Sequence, residues 1–545
     1  MAVQTEESNH RLTTEHNPIS NNGDADDEPK PEEDDNSNGE EEEDDEEDEV
    51  AEEDDDYVDE SVATAKSNIG LNKEKMTKFA NRLSSEPITL RVHDVIIKGN
   101  LKTKDSVIEA EIMDDLKRAS TLQEIFQAAA IANLKLRQLD IFDTVNFTID
   151  SGPTELPGTA NVVIEVSETK NPLTGEIGLF TKPGARSWSL EGGLKLKNLF
   201  GYADVWDGSV SYGWDQTTEV STGVTLPRLR HWPSPVFARA SLLSQDWLKF
   251  SSYKEQALGL GLGLISTRNH EMVYNLTWRT LTDPSQMAGE SVRRQLGHSL
   301  LSSLKYTYKV DQRNSPLRPT RGYAYSFTTL LAGLNPDSRS ARFLRQECDF
   351  RYAVPLGFCR AALNLGVSAG LIFPWGKGFL DRPSSLPDRF FLGGNTSPVC
   401  SLGGPSSVLG FKCRGLGPTE PQRQTRDKPD GDSSVAASER DAVGGDLAVS
   451  AFADLSFDLP LTILKEAGVH AHIFASTGNL VKLTENEWRK FSTKGFMQSF
   501  RSTVGCGVIV PTKLLRLEVN YCHIVKQFEH DHGKTGVQFC FSSPF

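Results

Sequence analysis

The sequence predicts a mainly β fold: a 16-stranded antiparallel transmembrane β-barrel, preceded by one small α+β domain and an acidic N-terminal tail. Three observations carry this expectation. Helical periodicity ends near Leu173, and from there segments of about 8–14 residues alternate apolar with polar, small or glycine residues, as all-β architectures require. The apolar faces are large while the opposite faces are often glycine or charged, which suits lipid outside and a wet lumen. The segments number about sixteen, an even count as closed antiparallel barrels usually have.

The elements follow in order. Residues 1–84 read as tail and linker. The net charge of −17 conceals an uneven distribution: −24 in residues 21–60, −2 in residues 1–20 and +9 from Ser61 onward. The run Glu40–Glu49 repels itself and has no apolar surface to bury, so disorder is expected. Such a tail is either an arm that attracts basic precursors or a solvated segment with no specific partner. The N-terminus has neither the apolar core of a secretory signal nor an Arg/Ser-rich, acid-poor presequence. Mean hydropathy is −0.40, and no stretch reaches the roughly 18 apolar residues of a membrane helix. Membrane barrels are not excluded by this, since alternation averages out.

Residues 85–170 read as one domain of order β-α-α-β-β. Ile88–Lys98 alternates as a strand, and Gly99-Asn100 turns the chain. Helices are expected at about Asp105–Arg118 and Leu122–Leu139. The second has Leu122, Ile125, Phe126, Ala129, Ala130, Leu134 and Leu136 near helical period. Strands Phe142–Asp150 and Ala160–Glu168 flank the Gly/Pro-rich loop Ser151–Gly158.

Residues 171–545 hold the barrel segments. Leu258, Leu260, Leu262 and Leu264 share one face, opposite Gly259, Gly261 and Gly263. Met272, Tyr274, Leu276 and Trp278 likewise oppose Val273, Asn275, Thr277 and Arg279. Trp188, Trp206, Trp214, Trp232, Trp247 and Trp278, near segment ends, are either interfacial girdle residues or ordinary core. Between the eleventh and twelfth segments lies a long connection, about 374–444, well beyond the roughly 12–15 residues after which loops are usually functional or disordered. Its first half is Gly-rich, its second polar.

Enzyme signals are weak. Gly259, Gly261 and Gly263 precede no helix, so they form no dinucleotide fingerprint, and Gly404–Gly410 lacks the Lys-Ser/Thr of a phosphate loop. Glu529-His530-Asp531-His532 falls in an expected hairpin loop without a third partner, so a solvated loop is favoured over a metal site. The seven cysteines form no CxxC pair and read as free thiols. Neither a cofactor nor a nucleic-acid partner is expected.

Several local sequences resemble one family. They are Leu196–Gly201, Arg313-Asn314-Ser315 with Pro319–Gly322, Asp388–Gly394, Gly403–Phe411 and Leu517–Cys522. In this order, after one β-α-α-β-β domain, the chain resembles the BamA-like outer-membrane insertase superfamily. Within it the nearest resemblance is to the core barrel of the mitochondrial sorting and assembly machinery. The small domain is similar to a POTRA domain. The resemblance implies an inward loop carrying a V/I-R-G-F motif, here Gly403, Gly404, Pro405, Ser406, Val408, Leu409, Gly410 and Phe411. The arginine that would pair with an acidic wall residue is replaced by Leu409. Either Arg414 substitutes for it, with Asp446 as wall partner, or the loop packs through Val408, Leu409 and Phe411. The C-terminus, with Lys534, Gly536, Phe539 and Phe541, is similar to the last-strand signal of mitochondrial barrel precursors.

The resemblance further implies a lateral gate between the last strand and the first, about 174–182, which includes Thr174, Gly175, Ile177, Gly178 and Phe180. Such a gate would insert β-barrel precursors such as mitochondrial porin into lipid, with metaxin-like peripheral subunits and the small domain in the intermembrane space. The chain would lie in the mitochondrial outer membrane and use no covalent chemistry. A chloroplast-envelope insertase or protein-conducting channel is the nearer alternative, and a passive outer-membrane pore the further one.

Overall fold

In the small domain, β1 (Arg91–Lys98), α1 (Asp105–Arg118), α2 (Leu122–Gln138), β2 (Phe142–Ser151) and β3 (Thr159–Glu168) follow one another along the chain. The computed structural model describes residues 88–180, 189–228, 234–267, 269–334, 342–376, 383–400, 402–405, 407–423, 440–485, 487–512 and 515–542. The acidic tail, Trp188, Trp232 and Ser406 lie outside the described residues. The sheet order is β1-β3-β2, with β1 parallel and β2 antiparallel to the central β3. Ile108, Ile112 and Leu116 recur every four residues on α1 and close over Val162, Ile164 and Val166 of β3. At the start of α2, the Thr121 hydroxyl accepts from the Glu124 N–H (3.2 Å), while the Glu124 carboxylate accepts from the Ser120 N–H (2.7 Å).

Two details differ from the sequence expectation. β1 begins at Arg91, because Thr89 instead bridges to Thr121. On α2 the buried residues are Ile125, Ala128, Ala129, Ala132 and Leu136, whereas Phe126 and Leu134 are 49% and 62% exposed. The alanines allow α2 close access to its neighbours, and the bulky stripe is turned outward.

The barrel strands are β4 (Leu173–Phe180), β5 (Ser189–Lys197), β6 (Val205–Gly213), β7 (Thr218–Leu226), β8 (Val236–Asp246), β9 (Lys254–Thr267) and β10 (His270–Thr282). They continue with β11 (Gly297–Asp311), β12 (Gly322–Ala332), β13 (Phe343–Pro355) and β14 (Ala362–Pro374). The long connection contains a ribbon of β15 (Thr419–Pro421) and β16 (Arg440–Ala442). The wall then resumes with β17 (Leu447–Asp458), β18 (His470–Val481), β19 (Arg501–Pro511), β20 (Arg516–Lys526) and β21 (Gly536–Ser542). Apart from the ribbon, β4 to β21 form one 16-stranded sheet in chain order.

Outward faces carry large apolar side chains in the open, including Leu258, Leu260, Leu262, Met272, Trp278, Tyr521 and Phe539. Inward faces carry buried polar groups such as Asp349, Asn364, Asp454, His472, Glu518 and Asn520. A soluble sandwich would reverse this arrangement; a bilayer-spanning barrel requires it. Trp214 and Trp278 lie outward as girdle residues would, but Trp247 is 6% exposed and belongs to an interior cluster with Tyr253.

Inside the wall, three aromatic rings lie over the glycine directly opposite on the next strand: Phe237 on Gly263, Phe452 on Gly366 and Phe474 on Gly505. A Cβ added to these glycines would fall 2.1, 2.1 and 2.4 Å from the ring. Only a bare backbone admits the ring in that position.

Because strands alternate in direction, one rim carries every second hairpin. The small domain docks on that rim. Lys104 N–H donates to the Gly201 carbonyl (3.0 Å), Asn198 Nδ2 to Thr103 Oγ1 (2.8 Å), and Arg228 pairs with Glu111 (3.1 Å). The long connection leaves from the opposite rim.

Candidate functional site: the seam and the inward loop

The first barrel strand and the last are the two ends of the sheet. β4 pairs with β5, from Leu173↔Leu196 to Phe180↔Ser189, and β21 pairs with β20, from Arg516↔Ser542 to Cys522↔Gly536. The two edges lie side by side, yet among the described residues no backbone ladder joins them. They are also short, 8 and 7 residues against 11–15 in β8 to β14. Thr174, Gly175 and Ile177 on β4 are exposed, Ile177 at 66%, and Gly178 is half-buried. On β21, Phe539 is exposed and lies on the outward face with Phe541, while Gln538 and Cys540 are buried toward the lumen.

The long connection folds back into the barrel. Phe390, Leu392, Val408, Phe411 and Leu416 join the wall residues Leu301, Phe343, Ile372 and Leu480 in one buried cluster. Leu409 is buried against Phe474, Cys522 and Cys540. Small residues make this closeness possible: a Cβ on Gly478 of β18 would fall 2.6 Å from Val408, and one on Gly410 2.8 Å from Thr503. Gly410 also has φ +90°, which favours glycine. Gly403 N–H donates to Asp349 Oδ2 of β13 (2.9 Å), Gly404 abuts Glu347, and Pro405 is buried.

From Gly410 to Gly415 the loop runs against the hairpin that leads into β21. Lys534 N–H donates to the Gly410 carbonyl (2.7 Å), Lys412 N–H to His532 O (2.9 Å) and His532 N–H to Gly415 O (2.7 Å). Phe411 bridges Gly533. Gly410 N–H reaches Gln538 Oε1 on β21 itself (3.2 Å). The loop therefore grips one edge of the seam through its backbone.

The structure does not join Arg414 to Asp446. Arg414 donates to Tyr253 Oη (2.9 Å) and Ser251 Oγ (3.1 Å), and its guanidinium lies over Trp247 (3.5 Å) and Phe391 (3.8 Å). An aromatic cage holds it by cation–π attraction and hydrogen bonds. Asp446 accepts from Ser384 Oγ (2.5 Å), Leu483 N–H (2.9 Å), Thr484 N–H (3.0 Å) and Thr484 Oγ1 (2.9 Å). Those donors saturate the carboxylate, leaving no need for a guanidinium.

Sequence reasoning did not single out the charge pair that does hold the loop. Arg279 of β10 donates from one nitrogen to both oxygens of Asp388 (2.8 and 2.7 Å), with Glu255 beside it (3.9 Å). The polarity is inverted relative to a loop arginine on a wall acid: here the wall supplies the cation and the loop the carboxylate. Arg389 follows, donating to Ser384 Oγ (2.8 Å) and Val443 O (3.0 Å), so Ser384 links it to Asp446. The signal available in sequence was the pair Asp388-Arg389 itself, two charges directly before the apolar run Phe390-Phe391-Leu392.

Residues 198–545 match the model of the Omp85 superfamily domain. The sorting and assembly machinery component 50 homolog of Mus musculus is 30% identical over 460 residues, spanning 82% of this chain and 89% of that protein. A SAM50-like protein of Schizosaccharomyces pombe is 26% identical over 86% of this chain and 94% of its own. Among solved structures, BamA from Haemophilus ducreyi lacking POTRA domains 1–3 superposes with a TM-score of 0.65 at 16% identity, covering 83% of this chain and 85% of that one. With its sixteen-stranded wall, adjacent free edges and inward loop, the chain belongs to the Omp85 superfamily and, within it, to the family of sorting and assembly machinery component 50 homologues.

Proposed function

We infer that this chain is an insertase that folds β-barrel precursors into an outer membrane through the seam between β4 and β21. One observation carries the reading: among the described residues, the sixteen-stranded sheet leaves two neighbouring edges without a ladder between them. Unpaired backbone groups in lipid cost several kcal/mol each, so an incoming strand that pairs with such an edge recovers that energy as it binds. Successive client hairpins then add by their own hydrogen bonding and burial. No covalent step, cofactor or nucleotide is required. The relatives named for sorting and assembly support this reading. A passive pore needs an open lumen, whereas the loop and wall here share a buried apolar cluster.

The membrane proposed is the mitochondrial outer membrane, with the small domain acting as a POTRA-type module in the intermembrane space. The clients proposed are precursors such as mitochondrial porin, and metaxin-like subunits are the peripheral partners. The loop supports the lumen beside the seam and helps release the folded client.

The test is organelle import. After depletion of the protein, radiolabelled porin is imported beside a matrix-targeted control and followed on native gels. Porin that enters but fails to assemble, with a normal control, is the expected result. Normal porin assembly would refute the insertase reading.

A further inference from the structure

On the rim away from the small domain, the connection between β18 and β19 forms a built lobe rather than a loose turn. Asn479 Nδ2 donates to Phe496 O (2.8 Å) and Ser499 Oγ (2.7 Å), and Lys526 Nζ to Gln498 O (2.6 Å). Its start is fixed by the Asp446 carboxylate on the N–H groups of Leu483 and Thr484. Four rings follow in contact: Trp488 stacks on Phe491 (6.1 Å, 7°), Phe491 meets Phe496 (5.9 Å), and Phe496 meets Phe500 (5.4 Å).

The lobe leaves large apolar surface uncovered, Trp488 at 48% and Met497 at 70% exposure. Arg489, Lys490 and Lys494 are exposed beside it. Between Lys482 and Phe500 four cations face two carboxylates, Glu485 and Glu487, and Lys482 and Lys490 each hold one of them (2.5 and 3.0 Å). The outward faces of the adjoining strands, with Val504 and Val525 exposed near the lobe ends of β19 and β20, bring the apolar belt toward the same rim.

We propose that this lobe is a lipid anchor seated in the headgroup layer of the leaflet opposite the small domain. In this seat Trp488 and Met497 lie at the acyl boundary and Arg489, Lys490 and Lys494 lie on anionic phosphates. Tryptophan, with an apolar body and one N–H, partitions to that depth, and basic side chains at a membrane surface favour anionic lipid. A rigid anchor here fixes the height of the wall close to the seam. The inference depends on the barrel spanning a bilayer and not on the insertase reading.

The test uses the full chain in proteoliposomes containing anionic phosphatidylglycerol, with or without lipids brominated near the headgroup. The emission difference between wild type and Trp488→Phe isolates this tryptophan, and heat-modifiable gel mobility confirms that both are folded. Bromolipid is expected to quench the difference signal at least about twofold, as for an indole at the interface, while aqueous acrylamide leaves it nearly unchanged. Quenching by acrylamide and not by bromolipid would overturn the proposal and mark the lobe as a surface for a peripheral protein. A variant with Arg489→Glu, Lys490→Glu and Lys494→Glu tests the charge. It is expected to lose bromolipid quenching in anionic but not in neutral vesicles, and equal quenching in both would remove the anionic-lipid assignment.

Discussion

The two edges of the seam are alike in length and opposite in support. β21 is tied into the lumen: its hairpin makes backbone bonds to Gly410, Lys412 and Gly415, and Gln538 receives the Gly410 N–H. Among the described residues, β4 is paired with β5, with a half-exposed Glu176–Lys195 pair (2.9 Å) and the short link to the small domain. An opening of the seam therefore costs less on the β4 side, because among the described residues no backbone bond of the loop holds β4. Backbone hydrogen exchange can check this directly, with β4 amides expected to exchange faster than those of β21.

Loosening the loop should erase that asymmetry. Arg279→Ala would have the largest effect, leaving Asp388 and Glu255 buried without their cation at about 3–5 kcal/mol. The midpoint of the heat-modifiable mobility shift should fall, and Asp388→Asn in the same chain should restore part of it. Phe411→Ala removes a fully buried ring at the bridge to Gly533, about 3–5 kcal/mol for an unrelaxed cavity. Here the sharper readout is regional: exchange should accelerate in β20 and β21 but not in β4 and β5. Equal acceleration in both would show that the loop supports the whole wall and not one edge.

Gly410→Ala is a smaller perturbation. A left-handed backbone costs a residue with a Cβ about 1–2 kcal/mol, and Thr503 stands in the way. The smallest effect is expected at the other edge. Glu168, at the end of β3, accepts from the N–H groups of Lys102 and Thr103 and from the Thr103 hydroxyl. Partial burial raises its carboxyl, but these donors override that and hold it below its ordinary value of 4.5. Its contribution is thus complete above pH 4.5 and is lost as pH falls through the depressed value. Exchange at Lys102 and Thr103 should accelerate in that acidic window, and Glu168→Gln should remove the pH dependence.

The strands were legible because a membrane wall has to alternate at every position. Each of the sixteen expected segments overlaps a strand of the sheet, from Leu173 to Ser542. What was not legible depended on contacts between distant residues. Phe126 and Leu134 had helical period, but two stripes of α2 shared it, and the small Ala128 and Ala132 decided which faced inward. Trp247 read equally as girdle or core, and only the contacts of a distant loop made it the floor under Arg414. The loop motif was visible, yet the residues anchoring it, Arg279 and Asp388, are 109 positions apart, and no local pattern reports such a pair.

A barrel's bore is ordinarily set by its strand number. Where Phe237, Phe452 and Phe474 lie flat on Gly263, Gly366 and Gly505, clearance is also set one residue at a time. An alanine at any of the three glycines would tip its ring toward the axis and narrow the tube at that height alone. The interior can therefore be recut around a slimmer plug by point substitutions, with the number of strands and the outer girth left as they are.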